Sequence, residues 1–184
     1  NAAKETKLAK LKVNYINNRG KNKLLIERKT RMLPRDEQMI TSWNAVRFIA
    51  LIDGFEATGL ERYKKSAKAL FKFIKNNFMV GEKLQRSIYN GTRAGNADLE
   101  DYAFIAIAMD RWITFSGEVG DEKQVAVLLD YAWRNFFTDK GWIMSDDLLI
   151  PYGATESMLA DGPLPSASAA LIRLSLRSKD HQIK

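Results

Sequence analysis

Apolar residues along this chain fall into six stretches with helical spacing, and from the second onward two kinds of stretch alternate. The first covers roughly 3–18, with Leu8, Leu11, Val13 and Tyr15 as its main apolar positions. The second, about 38–58, is apolar almost all round through Ile40, Trp43, Val46, Phe48, Ile49, Ala50, Leu51 and Ile52. It stops at Gly59, a residue that readily takes the left-handed conformation ending many helices. The third, about 60–78, confines its apolar residues to a stripe of Tyr63, Ala67, Leu70 and Ile74, while Lys64, Lys65, Lys68, Lys72 and Lys75 cover other faces. The fourth, about 99–116, is again apolar on all sides. The fifth, about 122–137, is amphipathic through Val125, Leu128, Leu129, Ala132, Trp133 and Phe136, and the sixth, about 166–178, is rich in Ala and Leu.

A helix that is apolar all round needs neighbours on every side, whereas an amphipathic helix needs them on one. The alternation therefore predicts an all-α fold in which an inner row of helices is backed by an outer row. The inner helices begin near 38, 99 and 166, so helical hairpins repeat about every 60–65 residues around an axis, in architecture rather than in sequence identity. Connections from inner to outer helix are short, at Thr58-Gly59 and 117–121. The connections back, 79–98 and 138–165, are long, and the first has room for a short strand or hairpin around Leu84 to Tyr89. Both long loops feed the N-termini of inner helices, so both lie at one end, and any mouth is expected there.

Composition narrows the chemistry. There is no cysteine, which excludes disulfides, thiolate catalysis and Cys-based zinc sites within this segment, and the single histidine, His181, lies in the tail. Histidine triads and histidine metal clusters are thus not expected, nor is any metal or cofactor. The longest apolar run, Tyr102 to Met109, is far too short to span a bilayer, which takes about 20 residues, so no membrane role is expected. No apolar stretch follows the charges near Asn1, and a cytoplasmic location is the expectation. Asn1-Ala2 in place of Met reads as an added remnant, and the chain is expected to be a piece of a larger protein. The net charge of +7 is uneven: residues 1–31 hold ten basic and two acidic residues, the rest 19 basic and 20 acidic. Residues 1–30 are accordingly read as a basic N-terminal helical segment and 31–184 as the helical-hairpin region. A basic arm can attract nucleic acid. Only Tyr15 supplies an aromatic there and no DNA-reading motif occurs, so nucleic-acid binding is not expected.

Three polar groupings fall at the expected mouth: Pro34-Arg35-Asp36-Glu37 leading into Thr41-Ser42-Trp43-Asn44, then Leu99-Glu100-Asp101-Tyr102, then Asp161-Gly162-Pro163-Leu164-Pro165-Ser166. Converging carboxylates flanked by aromatics suit sugar chemistry, in which one acid protonates a leaving oxygen while another acts as base or nucleophile. Trp43, Tyr102 and Trp142 are candidates to stack on pyranose faces. A plainer reading stands beside this one. Acids in a first helical turn are favoured by free N–H groups and the helix dipole, Asp161-Gly162-Pro163 reads as a turn, and Pro165-Ser166 reads as a helix entry. Trp43 can equally be core, and Trp112 and Trp133 are expected to be. Asn44 and Arg47 interrupt an apolar helix and should be paired or line a cavity.

The same stretches, Thr41-Ser42-Trp43-Asn44, Leu99-Glu100-Asp101-Tyr102-Ala103-Phe104 and Asp161-Gly162-Pro163-Leu164-Pro165-Ser166, resemble the thioredoxin-domain-containing family that includes spermatogenesis-associated protein 20, over roughly residues 30–178. The resemblance implies part of an (α/α)6 toroid, related to six-hairpin glycosidases and N-acylglucosamine 2-epimerases, without the family's N-terminal thioredoxin-like domain. Departures from the family pattern are Gln38 in place of a lysine, Ala45 in place of a glycine, and Ala167-Ser168-Ala169 in place of Gly-Asn-Ser. The resulting expectation is a carbohydrate-active or carbohydrate-binding toroid, glycosidase- or epimerase-like if active. Asp101, Asp36 and Glu100 are its candidate acid/base residues, and Trp43, Asn44, Tyr102, Asp161 and Ser166 its candidate substrate contacts. The alternative is a non-catalytic helical module that docks a partner or the thioredoxin-like domain of the same parent protein.

Overall fold

The computed structural model describes residues 10–23, 36–117, 121–145 and 165–177. The chain forms two compact units, Asn1–Asp36 and Glu37–Lys184. In the first unit, residues 10–23 form a helix, α1, on which Leu11, Val13, Tyr15 and Ile16 are exposed.

The second unit is predominantly helical, with a small antiparallel sheet. Its elements are β1 (Met39–Ile40), α2 (Thr41–Thr58), α3 (Glu61–Asn77), β2 (Met79–Val80), β3 (Lys83–Tyr89), β4 (Thr92–Asn96), α4 (Leu99–Ser116), α5 (Glu122–Phe136), β5 (Phe137–Thr138), β6 (Gly141–Trp142) and α6 (Ala167–Arg177). Helix α2 ends at Gly59, whose φ of 68° lets its N–H reach back to the Phe55 carbonyl and close the last turn. Helix α3 buries Ala67, Phe71 and Ile74, three positions on one face, and turns its lysines outward. Helix α4 starts on Asp98 in a reciprocal capping box with Asp101, and the Leu99 N–H of its first turn donates to the Met144 carbonyl at 2.9 Å. Strands β3 and β4 are joined through Asn90-Gly91, both with positive φ, the turn chemistry that a two-residue hairpin requires. Strand β3 is the centre of the sheet and pairs antiparallel with β1, β2 and β4.

Two hydrogen bonds give the relative direction of α2 and α4. Ser42 of α2 bonds to Asp101 of α4, 59 positions away, and Asp53 of α2 bonds to Arg111 of α4, 58 positions away. A nearly constant offset over three turns means that α2 and α4 run parallel, with their N-termini at one end. Helix α4 lies between α2 and α6, α3 packs on α2, and α5 packs on α4 and α6. The core is continuous across these layers. Phe48 of α2, Phe71 of α3 and Trp112 of α4 form one aromatic cluster, with Phe71 and Trp112 stacked at 4.9 Å.

The row differs from the expected pattern in one respect. Helix α2 is not buried all round: Trp43, Arg47, Ala50 and Asp53, at helical spacing, form an exposed face. Helix α2 has α3 and α4 as its helical neighbours, which leaves a third side open. Between α2, α4 and α6 lies a groove of about 520 Å³ whose walls include Ile49, Ile107, Arg111 and Arg173. No described helix is long and apolar enough to cross a membrane.

Candidate functional site at the helix N-termini

The first turns of α2 and α4 and the middle of β3 meet at Asp101, whose carboxylate is fully buried. Oδ1 accepts the Ser42 backbone N–H at 2.8 Å, while Oδ2 accepts the Asp98 N–H at 3.0 Å and Arg86 Nη1 at 3.0 Å. Arg86 Nη1 also pairs with Asp98 Oδ2 at 2.7 Å, and the Asp101 N–H donates to Asp98 Oδ1 at 3.2 Å. Ile40, at the N-cap of α2, supplies no side-chain cap. Asp101 therefore caps two helices at once: its own through Asp98, and α2 through Ser42. Thr41 ties the same end of α2 to β3, its Oγ1 donating to the Gln85 carbonyl at 2.6 Å. Ser42 Oγ is buried beside this cluster with no hydrogen-bond partner among the described residues.

Burial pushes the Asp101 carboxyl up to about 7, and the charge of Asp98 pushes the same way, against the pull of Arg86. Glu100, next in chain and half-buried, is also raised, first by burial and then by Asp98, with Arg86 opposing. Burial alone would lower the Arg86 guanidinium, but Asp101 beside it, with Asp98 and Glu100, holds it above its ordinary value.

The other candidate residues fall in different settings. Trp43, on the first turn of α2, is 64% exposed and offers an open indole face. Asn44 donates from Nδ2 to the Ile40 carbonyl at 2.8 Å, and so closes the first turn of its own helix. Ser166 precedes α6, where its Oγ accepts the Ala169 N–H at 3.3 Å and lies 2.9 Å from Ser168 Oγ. Asp36 is exposed and belongs to the first unit. Asp161 lies outside the described residues. The expectation that Tyr102 and Trp142 offer ring faces to a sugar is corrected by their burial, 1% and 3% exposed. Tyr102 stacks on Tyr131 at 4.5 Å and its hydroxyl accepts the Leu84 N–H at 3.1 Å. Trp142 packs against Trp133 and Phe137. Tyr102→Phe is expected to cost about 1–2 kcal/mol of stability, because it leaves the buried Leu84 N–H without an acceptor while keeping the ring; chemical unfolding of both proteins checks this.

Two residues of this cluster, Arg86 and Asp98, escape reading from sequence. Asp98 carries a usable signal, the three-residue spacing to Asp101 found in capping boxes. Arg86 carries none: it sits on β3 and reaches the helix ends only through the fold. Among the described residues no group of three or more His, Cys, Asp and Glu side chains could hold a metal ion.

No family model matches the chain. It is similar to the Caenorhabditis elegans protein named "Uncharacterized protein B0495.5", with 28% identity over 157 residues, a stretch that covers 79% of this chain and 21% of the relative. The chain thus spans about a fifth of the length of the relative it matches.

Proposed function

We propose that residues 37–184 are an arc of an (α/α)6 toroid of helical hairpins and that the end bearing the N-termini of its inner helices is a carbohydrate-binding mouth. One observation carries this reading. The Ser42–Asp101 bond makes Trp43 and Glu100 the immediate chain neighbours of a bonded pair, so an exposed indole and a carboxyl with a raised proton affinity share one end of two parallel helices. An open indole face suits the apolar face of a pyranose ring. A carboxyl whose pKa is raised toward neutrality suits proton donation to a glycosidic oxygen. In this reading Trp43 is the stacking platform and Glu100 the acid. Asn44 and Ser166 border the site, and Asp101 positions the first turns of α2 and α4.

A thermal-shift screen with glucose, N-acetylglucosamine, maltose and cellobiose tests the reading. A sugar at about 100 times its dissociation constant should add about 2.7 kcal/mol, a rise of several degrees in Tm. Trp43→Ala is expected to abolish the rise while changing the stability of the unliganded chain by less than about 1 kcal/mol, because the ring is already largely in solvent. A full response in Trp43→Ala would contradict the proposed mouth. The exposed Trp43 supports one further reading, a non-catalytic module that docks a partner or a thioredoxin-like domain of the parent protein, with Trp43 as the anchor. Binding of that domain, lost in Trp43→Ala, with no response to any sugar, would select it.

A further inference from the structure

Helix α3 carries six basic residues and one acidic one, and four of its lysines share a single groove. Lys65, Lys68, Lys72 and Lys75 follow one another at intervals of three and four residues, which sets them about one turn apart along roughly 15 Å of helix. Lys75 is paired with Asp121 at 2.6 Å; Lys65, Lys68 and Lys72 have no carboxylate within ion-pair distance among the described residues. Like charges at this spacing repel and weaken a helix. Between the row and the start of α5 the groove has a volume of about 520 Å³, and its floor is Ala69, Phe71 and Trp112. Lys75 lies over the Phe71 ring at 5.7 Å, so its aliphatic stem extends the apolar surface.

From this geometry we infer that the groove docks an acidic amphipathic helix of a protein partner. Cations one helical turn apart match carboxylates one helical turn apart, and the apolar surface between them, the exposed Ala69 and the lysine stems over the edges of Phe71 and Trp112, matches an apolar stripe. The row is too long for a single anionic group. Single-stranded nucleic acid fits less well, because Phe71 and Trp112 are only 6% and 5% exposed and offer no face on which bases could stack.

The test uses the full chain and a fluorescein-labelled Leu/Glu peptide of about 18 residues, long enough to form helix, with leucines at i, i+3, i+4 and i+7. A scrambled peptide of the same composition and an oligothymidylate serve as competitors. The inference predicts saturable binding, at least about fivefold weaker for the scrambled peptide and at least about tenfold weaker for the double variant Lys68→Glu/Lys72→Glu, with further weakening as salt screens the lysines. Both lysines are exposed and their removal relieves like-charge repulsion along α3, so the variant should melt no lower than wild type, and the binding of Lys68→Gln/Lys72→Gln should fall between the two. No binding, equal binding of both peptides, oligothymidylate competing as well as the amphipathic peptide, or binding indifferent to Lys68 and Lys72 would each overturn it.

Discussion

Asp101→Ala is expected to cost about 3–5 kcal/mol, a large share of the 5–15 kcal/mol that holds a typical domain folded. The carboxylate accepts from Ser42 N–H, Asp98 N–H and Arg86, and the Ser42 N–H in particular is buried and would be left without an acceptor. Its removal leaves the Ser42 N–H at the start of α2 and the Asp98 N–H without their acceptor, although Asp98 still caps α4, and leaves a half-buried guanidinium with Asp98 as its remaining carboxylate. Asp101→Asn should be milder, about 2 kcal/mol, because Oδ1 can still accept from Ser42 whereas the amide nitrogen faces two donors. The pH dependence has a definite sign. The folded Asp101 carboxyl, at about 7, lies above its ordinary 3.8, so the folded chain holds this proton more tightly than the unfolded chain. The stabilisation linked to that proton is complete below about pH 3.8 and is lost as the pH rises through 7. Glu100 is raised too and contributes in the same direction. Between pH 5 and pH 8 the gap between wild type and Asp101→Asn should therefore narrow as the pH rises. Urea unfolding followed by far-UV circular dichroism across that range measures it. A cost of Asp101→Ala below about 1 kcal/mol would contradict the double-cap account, and a gap that widens with pH would contradict the raised proton affinity of Asp101.

Phe48→Ala should cost about as much by a different mechanism, about 3–5 kcal/mol. Phe48 is fully buried and its ring meets Phe71 at 5.4 Å and Trp112 at 6.0 Å, so one side chain joins α2, α3 and α4. Truncation opens a cavity whose walls belong to three helices, which limits how far it can collapse. Unlike the loss at Asp101, this cost should not change between pH 5 and pH 8. Phe48→Leu, which keeps most of the volume, should recover more than half of the loss.

Much of the helical framework can be read from the sequence, for reasons that differ between elements. Helix α4 runs Leu99–Ser116 as its pattern predicts, because both ends carry local signals, the acids of the first turn and Gly117 after the last. Helices α3 and α5 match within a residue or two at each end, since an amphipathic stripe needs only one partner surface to be right. The start of α2 is less legible. Met39 and Ile40 continue the apolar pattern of the helix, yet they pair with Ile88 and Ser87 of β3, and a two-residue strand has no periodicity of its own. The β3–β4 hairpin falls where the long loop and its Leu84-to-Tyr89 stretch place it, closed by Asn90-Gly91. In the candidate site, the convergence of Ser42 and Asp101 follows from parallel inner helices and is legible once the alternation is seen. The role of Asp101 is not, because a first-turn acid has the same sequence signature whether it faces a ligand or closes two helix ends. Tyr102 and Trp142 mislead for a related reason: an aromatic beside a polar motif carries no mark of whether its ring faces solvent or core.

The carbohydrate mouth is tested most directly by following the indole N–H resonances of the four tryptophans in a two-dimensional nitrogen–proton spectrum while maltose or cellobiose is added. Trp112 and Trp142 are buried and Trp133 donates from Nε1 to Ser175 Oγ at 2.8 Å, so these three serve as internal controls. The account predicts a saturable shift of the Trp43 resonance alone, reduced in Glu100→Gln. A Trp43 resonance that stays in place at saturating sugar, or one that moves no more than the three controls, would contradict it.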